Sequence, residues 1–135
     1  MQADVAACLA YLREHGAATV FTVAFCFGGR QSWLAAADQD GLAGAVGFYG
    51  RPAEPAERAG ELKAPILALQ AGADPNITAE DNAAFEQALE SAGVEHELVS
   101  YEGAPQSFFD RKQEEFAAAS DDAWSRVLTF LESHS

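Results

Sequence analysis

Apolar positions along the chain follow two rhythms that alternate. Val5, Cys8, Leu9 and Leu12 recur at i, i+3, i+4 and i+7, which predicts a helix from Ala3 to about His15 that ends at Gly16. Thr19–Phe25 is apolar almost throughout, the pattern of a parallel strand covered on both faces. Gly28 to about Ala37 supplies small residues with Trp33 and Leu34, suited to a helix packed closely on a sheet. Ala43–Tyr49 reads as a second strand ending at Gly50. From Arg51 to Lys63 the chain turns to Pro, Glu, Ala and Arg, a surface crossover with at most a short helix; a flap over a site is the alternative. Pro65–Ala71 is the third strand. Thr78 and Asp81 then form a capping box for a helix whose apolar face is Ala84, Phe85, Ala88, Leu89 and Ala92, closed by Gly93. Glu95–Tyr101 is the fourth strand, and a last helix runs to about Ser133 with Trp124, Val127, Leu128 and Leu131 buried together.

Strands alternating with helices predict an α/β domain spanning residues 1–135. Its architecture is a three-layer αβα arrangement around a mainly parallel sheet of about four strands, joined by right-handed crossovers. Ligands of such sheets bind at the carboxyl ends of the strands. The loops after the first, third and fourth strands carry Cys26, Asp74 and Gln106, so three separated stretches converge on one edge.

Composition narrows the partners. The 135 residues are 49% hydrophobic and 21% charged, enough for a real core. Eight Lys and Arg against 21 Asp and Glu leave a net charge of −13, which repels phosphate backbones and anionic membrane surfaces. Nucleic acid and membrane are therefore not expected partners. The chain shows no signal-peptide pattern and no apolar run near 18 residues. Its two cysteines, Cys8 and Cys26, are expected as free thiols in a reducing, cytoplasmic setting. No Cys/His cluster has metal-ligand spacing, so neither a metal nor another cofactor is expected.

The chemistry centres on Phe25-Cys26-Phe27-Gly28-Gly29, where a strand breaks at a cysteine and glycines open a helix. A nucleophile on such a bend projects above the sheet, in front of the backbone N–H groups that begin the helix. The stretch resembles the dienelactone hydrolase family of the α/β-hydrolase fold, in which the elbow reads G-x-C-x-G with a second glycine; Ala24 replaces the first glycine here. Gly72-Ala73-Asp74-Pro75 resembles the family's G-x-x-D-P loop, and Gly103-Ala104-Pro105-Gln106-Ser107-Phe108 its G-A-x-H-x-F loop. The resemblance covers essentially the whole chain as the C-terminal half of such a hydrolase, a truncated α/β-hydrolase fold. It implies Cys26 as nucleophile, Asp74 as the carboxylate that orients an imidazole, and the Phe27 N–H as an oxyanion donor. On the residues alone, Cys26 also reads as a small buried hydrophobe and Asp74 as a turn former.

Gln106 stands where the family has histidine. A carboxamide can hydrogen-bond to Asp74 and Cys26 but cannot take the thiol's proton or activate water, a loss of about 10²–10⁴-fold. His15, His96 and His134 fall on the opposite rim of the sheet. The resemblance also implies about four earlier strands, one of whose loops gives a second oxyanion donor; without them the Thr19–Phe25 strand has an unpaired apolar side, and a homodimer covering that edge is expected. Arg111 is a candidate for a substrate carboxylate, or else for an exposed pair with Asp110 or Glu114; Arg30 is expected in a surface ion pair. Phe108, Phe109, Trp33 and Tyr49 are core aromatics or pocket lining. The functional expectation is impaired cysteine hydrolysis of small esters or lactones, with a small-carboxylate binding module or a self-associating remnant as alternatives.

Overall fold

A computed structural model describes residues 1–135. The elements in chain order are α1 (Gln2–Glu14), β1 (Phe21–Phe25), α2 (Phe27–Asp38), β2 (Gly44–Phe48), α3 (Ala53–Glu57), β3 (Ile66–Ala71), α4 (Ala79–Ser91), β4 (His96–Tyr101) and α5 (Ala117–His134), with a short 3₁₀ turn at Ala59–Glu61. The four strands form one parallel sheet in the order β1-β2-β3-β4. A sheet that grows in one direction through right-handed crossovers places every crossover helix on the same face. The core divides accordingly. Trp33 of α2 and Phe85 and Leu89 of α4 pack with Ala45, Ile66 and Ala68 on one face; Val127 and Phe130 of α5 pack with Val46, Phe48, Leu67 and Leu69 on the other.

Both α2 and α4 sit where local chemistry puts them. Thr78 Oγ1 accepts the Asp81 N–H and the Asp81 carboxylate accepts the Thr78 N–H, the expected reciprocal cap. At the other end Gly93, at φ +73°, completes a Schellman turn: Val94 N–H reaches Leu89 O at 3.0 Å and Gly93 N–H reaches Glu90 O at 3.1 Å. Helix α2 lies closer to the sheet than ordinary side chains permit. A Cβ on Gly29 would lie 2.7 Å from the Phe48 carbonyl oxygen, and one on Gly47 would lie 2.5 Å from the Trp33 ring. The indole fills that space and donates Nε1–H to Leu67 O at 3.1 Å.

Three expectations about burial change. On α1 only Leu9 is buried; Cys8 and Leu12 face solvent, because the helix touches the body along one narrow line against α2. On α5 the buried residues are Ser120, Ala123, Val127 and Phe130, while Trp124 is 46% and Leu128 48% exposed. The interior face is thus rotated by part of a turn from the expected one. Strand β1 is not covered on both faces: it pairs only with β2, none of its residues is fully buried, and Val23 is 43% exposed. The apolar strand has an open edge, as expected.

His134 ties the end of α5 to the start of β4. Its Nδ1–H donates to Phe130 O at 2.8 Å, and Nε2 lies 2.7 Å from the Glu95 carboxylate. Both ring nitrogens face acceptors, so the imidazolium is favoured and the pKa is raised, first by the Phe130 carbonyl and then by Glu95. A raised folded-state value stabilises the fold fully below the unfolded value of about 6.5, and this support is lost as pH rises through the folded value. Urea midpoints are therefore expected to fall above that pH in the parent and to vary less in His134→Gln. Gly29→Ala is expected to cost about 1–3 kcal/mol, because the methyl meets backbone that cannot move independently; chemical denaturation with an unchanged m-value checks it.

Candidate active site

The site begins with a strained residue. Cys26 joins β1 to α2 at φ +57°, ψ −124°, a conformation that costs a non-glycine residue about 1–3 kcal/mol. Its N–H donates to Phe48 O at 3.0 Å, which holds the turn against the carboxyl end of β2. The thiol is half-buried and lies 4.0 Å from Ser107 Oγ. Phe27 is the first residue of α2, so its N–H has no acceptor within the helix. Gly28 leaves room for the Ala24 methyl, which stands where a glycine was expected: a Cβ on Gly28 would lie 3.1 Å from it, a tight contact that either side must yield slightly to accept.

A cleft of about 420 Å³ opens in front of the thiol, lined by Cys26, Phe27, Arg30, Tyr49, Asp74 and Gln106, with Arg51, Asn76 and Ile77 completing the wall. The three residues expected to converge at the strand ends share this cleft. Asp74 is only 5% exposed and accepts the Asn76 N–H at 2.9 Å. Gln106 is exposed and hydrogen-bonds to neither Asp74 nor Cys26, contrary to expectation. The Asp74 side chain is instead turned into its own loop.

Two arginine expectations are corrected. Arg111 does not reach the cleft: Phe108 is anchored in the core, the chain turns at Ser107 with φ +66°, and Arg111 N–H closes back on Ser107 O. Its side chain joins Asp110 and Glu114 along an exposed surface depression without pairing with either. Arg30 makes no surface ion pair. Four residues after Cys26 on the same helical face, it enters the cleft with its guanidinium carbon 4.9 Å from the Phe27 ring centroid, and its Nε is buried without a partner. Arg51, just past β2, also lines the cleft without a carboxylate partner. The signal for both was positional: one lies a turn beyond Cys26, the other at the carboxyl end of a strand.

Tyr49 was expected as a core or lining aromatic, and its partner was missed. Its ring is buried at φ +39°, and its hydroxyl donates a short hydrogen bond to Asp110. Burial and then the Asp110 carboxylate push the phenol far above its usual range, so it stays a neutral donor on the cleft wall. His15, His96 and His134 all lie away from the cleft, at the amino-terminal rim.

The Dienelactone hydrolase family model matches residues 1–135. The chain belongs to the dienelactone hydrolase family. It is 35% identical over 120 residues to an Escherichia coli K12 protein bearing the name carboxymethylenebutenolidase, covering 82% of this chain and 44% of that one. A Saccharolobus solfataricus protein of the same name is 36% identical over 122 residues, 90% of this chain and 47% of that one. A crystal structure described as a dienelactone hydrolase from Klebsiella pneumoniae superposes with a TM-score of 0.88 at 29% identity, covering 96% of this chain and 59% of that chain. The chain thus spans about half the length of the curated relatives it matches. The four-stranded parallel sheet and its flanking helices have the α/β architecture expected for the family. No helix is long and apolar enough to cross a membrane.

Spectrophotometric titration is expected to show Tyr49 and Tyr101 silent through the ordinary tyrosine range while the fold persists, their ionisation appearing only with alkaline unfolding. Tyr49→Phe is expected to shrink that late step to the contribution of Tyr101 alone and to lower stability by about 1–2 kcal/mol.

Proposed function

We propose that the chain acts on small esters or lactones through Cys26, that Arg30 and Arg51 hold an anionic group of the substrate, and that Gln106 makes turnover slow. The observation that carries this reading is the position of Cys26: strained, at the opening of a helix, and facing a cleft shared with Asp74 and Gln106. The sulfur attacks the carbonyl carbon, the acyl C–O bond breaks, and the released alkoxide takes up the proton lost by the thiol. Water then adds to the thioester, freeing the acid and returning the proton to sulfur. The Phe27 N–H, free of an acceptor at the start of α2, donates to the oxyanion at each addition. An imidazole would ferry the proton in both halves. Gln106 has no basic atom for this, so thioester hydrolysis is the impaired step.

Two unpaired guanidiniums at the cleft are informative in a chain with 21 carboxylates and eight cations. Arginine left free amid so much acid fits a ligand that brings its own negative charge. The same observation supports a second reading, a small-carboxylate binding module without catalysis. The open β1 edge supports a homodimer, and two unbridged thiols fit a cytoplasmic setting.

Activated-ester assays separate the readings. Gln106→His is expected to raise turnover by about 10²–10⁴-fold, a gain abolished by adding Cys26→Ala. A folded Gln106→His protein with no gain would sink the catalytic reading and leave the binding module. Arg30→Gln is expected to raise KM, or Kd for a carboxylate analogue, by about 10–100-fold for anionic compounds while leaving neutral esters little changed. Light scattering is expected to show a dimer at micromolar concentration that Val23→Lys dissociates; a parent monomer would refute the dimer.

A further inference from the structure

On the rim opposite the cleft, three side chains with metal-ligating atoms meet where α4 hands the chain to β4. Glu86 and Glu90 lie four residues apart on one face of α4, and His96 is the first residue of β4. One donor atom from each lies within 4.8 Å of the other two. A point among three such atoms is at most about 2.8 Å from each, so a modest turn of the carboxylates reaches the bond lengths of about 2.0–2.2 Å that zinc requires.

The imidazole is already set for the task. His96 is 13% exposed, and its Nδ1 lies 2.8 Å from the Val94 carbonyl oxygen, which can only accept; Nδ1 therefore carries the hydrogen. In the neutral ring this leaves the Nε2 lone pair directed at the carboxylates, 3.8 Å from Glu86 Oε2 and beyond hydrogen-bond range. Fixing the tautomer through the second nitrogen is how metal-bound histidines are held. Neither Glu86 nor Glu90 pairs with a lysine or arginine, and like charges at i and i+4 repel within the helix. The Schellman turn at Gly93 fixes the distance between the helix end and His96, so the donors are brought together by rigid backbone.

We propose that Glu86, Glu90 and His96 bind one divalent transition-metal ion of the Zn²⁺ class, which clamps the last turns of α4 to the start of β4. The nitrogen donor selects against Ca²⁺ and Mg²⁺, which prefer all-oxygen sites. The ion's role is structural, since the cleft lies at the other end of the strands.

The test uses the whole chain with Zn²⁺ alone, and Co²⁺ as a spectroscopic stand-in. One Zn²⁺ per chain is expected by calorimetry, with a rise in melting temperature on saturation. Bound Co²⁺ is expected to show d–d absorption without a thiolate charge-transfer band. Glu86→Gln, Glu90→Gln and His96→Gln are each expected to weaken Zn²⁺ binding by about tenfold or more and to abolish the thermal shift. The two glutamates lie on the helix surface, so their variants keep the test valid if His96→Gln fails to fold. Absence of saturable binding, equal affinity in the folded variants, or a thiolate band pointing to Cys8 or Cys26 would each overturn the proposal.

Discussion

Everything at the site depends on how closely the first turn of α2 rests on the carboxyl end of β2. The contact is backbone on backbone: Cys26 N–H on Phe48 O, and the Cα of Gly29 where any side chain would strike that same carbonyl. Such an approach holds the turn at φ +57° on Cys26, a cost that the rest of the fold must meet. It does so through Trp33, which lies over Gly47 and bonds to Leu67 O, locking α2 to the two central strands. Strain at Cys26 and density beneath it are therefore two sides of one arrangement. A looser helix would relax Cys26 into an ordinary conformation and withdraw the Phe27 N–H from the cleft.

Some cations of this chain are paired and others are not. Arg58, Lys63 and Arg126 are engaged by acidic partners on the surface, where such pairs contribute little. Arg30 and Arg51 are not. Their positions are fixed from below: Arg30 is carried by α2, and the residue before Arg51, Gly50, has its carbonyl held by the buried Gln70 amide, which also donates to Asn82 of α4. A polar clip inside the core thus sets where a cationic loop emerges. In a chain of net charge −13 the cleft brings two arginines beside the single carboxylate of Asp74, the reverse of the balance in the sequence as a whole.

Much of this was legible in the sequence because the signals were local. Apolar runs, the Thr78–Asp81 cap, Gly93 and the glycines after Cys26 each act within a few residues, and together they led to the alternating architecture and to the strand ends bearing Cys26, Asp74 and Gln106. What escaped was set by rotation and by distant partners. Whether Trp124 or Ala123 faces inward depends on a fraction of a turn of α5 against a sheet that periodicity alone does not orient. Arg111 looked closer to the site than Arg30 because it follows Gln106 in sequence; the anchoring of Phe108 and the turn at Ser107 send it elsewhere. The Tyr49–Asp110 bond joins residues 61 apart, and no spacing rule announces it.

Gln106 sharpens the relation between site and fold. It is exposed and unbonded, so the fold does not depend on it, and Asp74 has turned to the Asn76 N–H. Removing an imidazole from an Asp-His pair would leave a buried carboxylate short of a donor, a costly state unless another donor takes its place. The Asx turn supplies that donor from two residues away, without moving either strand end. A glutamine at position 106 therefore leaves the buried Asp74 carboxylate with a donor and adds no cost to the stability of the domain. By the same reasoning, an imidazole introduced at position 106 must draw Asp74 away from Asn76 before the two can pair, and the energy of that exchange sets how firmly the imidazole is held.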